Sequence, residues 1–447
     1  MHKFDESYYL CLRMRVLIVN TSELNGGAAV AASRLTDALN NHGVKAKMLV
    51  RDRAAMHQQK GGEPVFRPTV VGLPRSPWLR WNFLWERLSI FLRLHGSRKH
   101  LFDIDLANTG TDITRLSEFR EADVIHLHWI NQGMLSLGGI RKILRSGKPV
   151  VWTMHDMWPA TALCHLTLTC RHYHTLCHNC QYLPDGGGDN DLSTAQWKRK
   201  MRMLDGENIS FVTPSRWLEG EARSSALLRG QQITTIPNPI DNRLFCPGDK
   251  AEARRQEQLP ADKQLILCVC QRLTNRYKGM SYLVDACRQL ARQYPQMVEN
   301  TGVVLLGDHA DEVAAELPFE AFPIGYTTDE HRIVRIYQAV DLFALPSLSE
   351  NLPNTIMEAM ACGVPSVAFR VGGIPEEIDH QKNGYVARYE DSADLARGIH
   401  WLLNEADREL LSRNCVNKVA QKYSQSSVSL RYIEVYQHAM AQKHFKL

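Results

Sequence analysis

The chain has 447 residues, a length suited to two or three domains rather than one core. Its hydrophobic fraction of 44% and charged fraction of 23% are those of a globular protein, and no apolar run approaches the ~20 residues that span a bilayer. A net charge of +5 favours anionic partners only mildly and gives no argument for nucleic acid.

Residues 1–13 read as an N-terminal extension without the apolar stretch of a signal peptide. From Arg15 short apolar strands alternate with helical segments. "RVLIVN" leads into "NGGAAVAASRLTDALNNHG", a glycine turn opening a helix, and then into "KAKMLV". "DVIHLH", "PVVWTMHD" and "ISFVTP" follow, with the β-branched runs of a buried parallel sheet. The pattern restarts at "QLILCVC" and continues through "GVVLLGD", "DLFALPS" and "PSVAFR". Between the two series lies "TTIPNPIDNRLFCP", rich in Pro and Asn, which suits a linker near 237–246. The fold class is therefore α/β with two doubly wound domains, 14–240 and 241–427. Ligands in such sheets bind beyond the carboxyl ends of the strands. "SVSLRYIEVYQHAMAQK" reads as a terminal helix within 428–447.

Two stretches of the second series carry chemistry. "QRLTNRYKGM" links a strand to a helix, so Arg272 and Lys278 sit where phosphates bind, able to neutralise a pyrophosphate without a metal. The bland alternative is two solvated surface charges. "SENLPNTIMEAMACGVP" places Glu350 in a loop before a helix and Glu358 about one turn inside it. Asn351 and Asn354 read as N-caps, with Pro353 in the first turn. Carboxylates beside free amide donors suit a polyhydroxylated ligand. The rival reading has Glu350 capping the helix and Glu358 solvated.

These residues resemble a family. Glu350 and Glu358 match the E-x7-E signature of retaining glycosyltransferases of GT-B fold, family 4. "NGGAA", "WTMHD", "PSRWL", "IPNPID" and "GGIPEEIDHQKNG" extend the likeness from about Met14 to the C-terminus, toward a bacterial polysaccharide branch of colanic-acid type. The resemblance implies two Rossmann-like domains facing a cleft and a C-terminal helix crossing back to the N-terminal domain. It implies that Glu350 holds donor-sugar hydroxyls and Glu358 the ribose, with Asn351, Leu352 and Asn354 in the same donor-binding string. Arg272 and Lys278 would stabilise the departing diphosphate, and Gly26 and Gly27 would approach the donor. His155 would lie beside the reacting carbon. Gln271 departs from the family glycine before the arginine, as do "PNP" and "GDHAD" from their usual forms.

The implied reaction transfers a sugar from a UDP- or GDP-linked donor to a saccharide or lipid-linked saccharide, with retention and without a catalytic metal, in exopolysaccharide, capsule or O-antigen assembly. It would run in the cytoplasm or at the inner membrane's inner surface. A sugar-nucleotide epimerase and a non-catalytic binding partner in a polysaccharide complex are the rival readings. "FDID" at 102–105 resembles a DxD metal motif of a different transferase fold, and Asp103 and Asp105 read as plain loop residues.

Two segments stand apart. Eleven cysteines without an export signal point to thiols or metal ligands rather than a disulfide framework. Within the insertion 164–180, Cys164, Cys170, Cys177 and Cys180 have the spacing of a structural zinc site. His165, His172, His174 and His178 are rival ligands, and metal-free thiols or two disulfides are alternatives. In "PRSPWLRWNFLWERLSIFLRLHGSRK" the residues Trp81, Leu84, Trp85, Leu88, Phe91 and Leu92 share one helical face, with Arg80, Arg87, Arg93, Arg98 and Lys99 around it. That face suits either peripheral membrane contact or packing on the domain core.

Overall fold

The computed structural model describes residues 14–53 and 67–444; the extension 1–13 and the last three residues lie outside them. The chain divides into two compact units. One takes the chain up to Pro239 together with the run from Val428 onward, and the other is Ile240–Ser427.

The first unit holds a seven-stranded sheet. Its strands are β1 (Arg15–Ser22), β2 (Lys45–Asp52), β3 (Val70–Gly72), β4 (Val124–Leu127), β5 (Val150–Thr153), β6 (Ser210–Thr213) and β7 (Gln232–Thr235). All pairings are parallel and the order is β3-β2-β1-β4-β5-β6-β7, so the winding reverses between β1 and β4. Residue alternation sends Leu17 and Val19 to one face and Val16 and Ile18 to the other, and each face nucleates its own core. The second face is covered in part by the helix Gln425–His444, which contributes Val428, Tyr432, Ile433 and Tyr436. Hydroxyls pin it there. Tyr436 Oη lies 2.8 Å from His126 Nδ1, and Tyr432 Oη lies 3.0 Å from Thr153 Oγ1.

The second unit holds six parallel strands: β8 (Gln264–Arg272), β9 (Thr301–Asp308), β10 (Glu320–Ile324), β11 (Leu342–Leu345), β12 (Ser366–Phe369) and β13 (Gly384–Ala387). Their order is β10-β9-β8-β11-β12-β13, reversing between β8 and β11. The sequence shows nine of the thirteen strands among the described residues. The four it does not show, β3, β7, β10 and β13, are the edges of the two sheets.

The helix Pro77–Arg93 sits the other way round from an ordinary surface helix. Ser76 caps it and Pro77 opens it, but its buried residues are Asn82, Glu86, Arg87 and Ile90. The apolar stripe faces outward: Trp81 is 53% exposed, Leu84 57%, Trp85 46%, Leu88 46% and Leu92 65%. Packing of that stripe on the domain core is therefore excluded. Arg87 does not decorate the stripe either, because it is buried on the opposite side.

Candidate functional site

In the second unit two loops meet at the carboxyl ends of β8 and β11. The pairing of β8 with β9 slips between Val269 and Arg272, a bulge that redirects the strand end. Asn275 then caps a single turn, Arg276–Lys278, and Gly279 opens the helix Met280–Gln293. Leu348 N donates to Tyr277 O at 2.8 Å, which ties the second loop to the first. A side chain at Gly279 (φ +64) would strike Pro346 O, so glycine is what lets the loops approach so closely. Across this seam Lys278 Nζ lies 2.6 Å from Glu350 Oε1, with the two side chains 30% and 14% exposed. Burial pulls the Lys278 ammonium down, but the Glu350 charge and hydrogen bond outweigh it, and its pKa ends raised. Arg272 is exposed at the strand end, its Nε donating to Thr274 Oγ1 at 3.1 Å.

The string after Glu350 is anchored from below. The helix runs Asn354–Ala361 with Pro353 at its N-cap and no side-chain cap, so Asn351 and Asn354 do not cap it as the sequence suggests. Proline already holds the extended backbone a cap needs. The Leu352 side chain is buried in the core and is not available to a ligand. Glu358 is not a solvated residue either: it is 8% exposed and accepts from Tyr337 Oη at 3.0 Å. Gly373 N donates to Asn351 O at 2.8 Å, and a side chain at Gly372 (φ +56) would collide with Glu350 O. The "GG" of 372–373 thus shapes the Glu350 loop. Glu377, which sequence reading passed over, is fully buried near it, and neither of its carboxyl oxygens has a hydrogen-bond partner among the described residues. Burial first, and the Glu350 charge second, push its pKa well above the usual carboxylate range, with Lys418 opposing.

The first unit carries its own strand-end cluster. Gly26 (φ 91) is the N-cap of the helix Gly27–Asn41, exposed together with Gly27. After β4 and β5, His128 Nδ1 and His155 Nε2 are 2.9 Å apart. Burial pulls His155 down to about 4 against the Asp156 charge, and holds His128 well below its ordinary value. Both are therefore neutral near pH 7. Beside them His165 bridges two carboxylates, Asp156 Oδ2 and Asp105 Oδ2, each at 2.7 Å. Asp105 also pairs with Arg87. It is 1% exposed, not a plain loop residue, because it is the counter-ion of a buried guanidinium. The signal was present in "VIHLHW", where two histidines interrupt an apolar strand at a period of two. A further surface cavity of about 560 Å3 is lined by Asp112, Arg141, Lys142 and Arg145 and by none of these groups.

Cys164, Cys170, Cys177 and Cys180 line one cavity of about 20 Å3, with His172 and His178. All four are free thiols. Burial raises Cys164 strongly, Cys177 to about 12 and Cys180 to about 11. The donor set suits zinc in identity. In placement, no three His, Cys, Asp or Glu side chains among the described residues form a group that could hold a metal ion. His165 is committed to its two carboxylates.

Two family descriptions match the chain: "Glycosyltransferase Family 4" over residues 25–244 and "Glycosyl transferases group 1" over 263–405. A D-inositol 3-phosphate glycosyltransferase of Stackebrandtia nassauensis is 30% identical over 188 residues, 40% of this chain and 42% of that protein. An uncharacterized glycosyltransferase of Methanocaldococcus jannaschii is 25% identical over 356 residues, 76% of this chain and 90% of that one. The chain spans about half the length of the D-inositol 3-phosphate glycosyltransferases it matches. Among solved structures, sucrose-phosphate synthase of Thermosynechococcus elongatus superposes with a TM-score of 0.65 at 19% identity, over 96% of this chain and 100% of that one. The Anabaena protein HepE in complex with UDP does so with a TM-score of 0.61 at 17% identity, over 95% and 100%. With two parallel sheets of this topology and family descriptions that together match well over half of the chain, the protein belongs to the family 4 glycosyltransferases and has the GT-B fold.

Proposed function

We propose that the protein transfers a glycosyl unit from a nucleotide-sugar donor to an acceptor hydroxyl, with retention at the anomeric carbon. The observation that carries this reading is the Lys278–Glu350 ion pair on two stitched loops at the strand ends, with Arg272 exposed where the first of those loops begins. A diphosphate arriving there replaces Glu350 as the partner of Lys278, and Arg272 adds a second cation. Glu350, released from the ammonium, accepts from sugar hydroxyls. Negative charge that develops on the leaving diphosphate is met by cations already in place. Glu358, held by Tyr337, takes the ribose, and the amides after Pro353 are donors for the rest of the ligand. His155 in the first unit is neutral, and so is a hydrogen-bonding group rather than a cation. HepE has been solved with UDP and with UDP-glucose, which favours a UDP-linked donor over a GDP-linked one.

The acceptor in this reading is a saccharide or lipid-linked saccharide in polysaccharide assembly, on the cytoplasmic side, where free thiols persist. To this we add a structural zinc at Cys164, Cys170, Cys177 and Cys180, which rests on donor identity, requires the four thiols to draw together from the placement described above, and supplies no step of the chemistry.

The test is a transfer assay with UDP- and GDP-sugars, offering saccharide, lipid-linked saccharide and D-inositol 3-phosphate acceptors. Lys278→Ala and Glu350→Ala should each lower turnover by roughly 100-fold, the scale of one lost transition-state contact. Glu358→Ala should chiefly weaken nucleotide binding. A free nucleotide-sugar product formed without acceptor would replace this reading with epimerisation, and wild-type kinetics in all three variants would remove the site.

A further inference from the structure

The helix Pro77–Arg93 exposes what most helices bury, and the reason is on its inner side. Asn82 Oδ1 accepts from Thr109 Oγ1 at 2.6 Å. Glu86 Oε1 accepts from the amides of Leu106 and Ala107 at 3.1 and 2.6 Å. Arg87 pairs with Asp105 and donates to Leu101 O at 2.6 Å. A buried ion pair that loses one partner leaves the other charge uncompensated in the interior. The helix is thus locked with its polar face inward. Trp78, Trp81, Trp85, Leu88 and Leu92, at i, i+3, i+7, i+10 and i+14, are held out as a contiguous apolar stripe. Stripes of this size mark an interaction surface rather than scatter.

We propose that this stripe seats the protein on an anionic lipid surface. Charge selects the partner. From Pro74 to Phe102 the exposed ionisable side chains of fixed sign are Arg75, Arg80, Arg93, Arg98 and Lys99, all basic, while the one acid, Glu86, is buried. A second copy docked through the same face would bring these cations against their own counterparts, whereas acidic headgroups neutralise them. Three tryptophans in one stripe suit the headgroup level, where an indole ring meets apolar chains and its N–H meets water. The basic stems lie along the apolar region with their charges in the headgroups. No helix among the described residues is long and apolar enough to cross a membrane, so the stripe lies on the surface and does not span it. The buried side carries the contact inward: Asp105, the partner of Arg87, is hydrogen-bonded through His165 to Asp156, next to His155. The lipid-facing helix and the strand-end cluster are parts of one hydrogen-bonded framework.

The experiment is vesicle sedimentation of the full chain, with phosphatidylglycerol–phosphatidylcholine vesicles against pure phosphatidylcholine, together with quenching of tryptophan fluorescence by brominated lipid. The protein should partition onto the anionic vesicles, with quenching, and raising salt to about 0.5 M should weaken binding. The triple variant Trp81→Ser, Trp85→Ser, Leu88→Ser should lose tenfold or more of the partition with no loss of melting temperature, because these side chains are exposed. Arg80→Gln with Arg93→Gln and Arg98→Gln should reduce binding to anionic vesicles toward that to phosphatidylcholine. No partition onto anionic vesicles, or equal partition of wild type and the tryptophan variant, overturns the proposal. A dimer that the tryptophan variant disperses, without vesicle binding, also overturns it and assigns the face to a second copy.

Discussion

The two units place charged groups at the carboxyl ends of their strands in opposite ways. In the second unit the Lys278–Glu350 pair is partly open to water and joins two loops through a single contact. In the first, Arg87 and Asp105 are 7% and 1% exposed, Asp105 is bonded through His165 to Asp156, and each acid has more than one partner. An open pair can exchange one partner for a ligand at little cost, because water already screens it. The sealed Arg87–Asp105 pair cannot, because removing either member strands the other. The first arrangement suits binding and release, and the second suits holding a loop and a helix in fixed positions.

The sharpest way to break that contrast is at Asp105. Asp105→Ala leaves Arg87 buried without its carboxylate, and should cost about 3–5 kcal/mol of stability. Asp103→Ala is the control. Asp103 faces His100 at 2.7 Å in a partly exposed pair, where the loss should stay under about 1 kcal/mol. Denaturant unfolding of the two variants decides it. Equal midpoints would mean that the first cluster is no more sealed than a surface pair.

The second unit should respond in the reverse sense. Lys278→Ala and Glu350→Ala should leave the unfolding midpoint nearly unchanged while removing about two decades of turnover each. The double variant should lose about the product of the singles, since with donor bound Lys278 meets the diphosphate and Glu350 the sugar hydroxyls. A double variant no worse than either single would show that the two residues act through one contact.

The contrast also explains what the sequence made legible. Lys278, Glu350 and Glu358 lie in two short strings, each bounded by a strand and a helix, so local patterning placed them on the same sheet end. Asp105 and His165 are 60 residues apart and meet only through tertiary packing, and "FDID" alone reads as a turn. The same logic governs the strands. Those with both neighbours buried wrote long apolar runs. The edge strands did not: β10 carries Pro323, which an edge tolerates because it lacks a partner on one side, and β7 alternates with exposed residues. The helix Pro77–Arg93 was legible as amphipathic but not in orientation, because periodicity marks a face without saying which way it points.

The cysteine loop offers an intermediate effect. We expect about one zinc per chain in protein purified without a histidine tag, and Cys177→Ser or Cys180→Ser should lower stability and expose the loop to protease. Less than about 0.2 zinc per chain, with all four thiols reacting freely in the folded protein, would leave a cavity lined by protonated thiols, as burial alone favours.

The smallest effect, and the one most specific to the open site, concerns Glu377. Burial and the neighbouring Glu350 charge raise its pKa in the folded chain, whereas in the unfolded chain it titrates near 4.5. The folded state therefore keeps a proton that the unfolded state releases. Above about pH 4.5 the unfolded chain binds fewer protons, so stability falls as pH rises, and it continues to fall until the folded-state value is reached. Glu377→Gln removes the titration but not the buried polar group, so it shifts stability by a constant and flattens the slope. Unfolding midpoints of wild type and variant measured from pH 4 to pH 9 should converge or diverge linearly across this window, the wild type losing ground as pH rises. Glu350→Gln should lessen the slope without abolishing it, because burial is the larger cause and the Glu350 charge the second. If wild type and Glu377→Gln run parallel across the whole range, Glu377 is not protonated in the folded protein, and the Glu350 loop does not rest on a neutral acid.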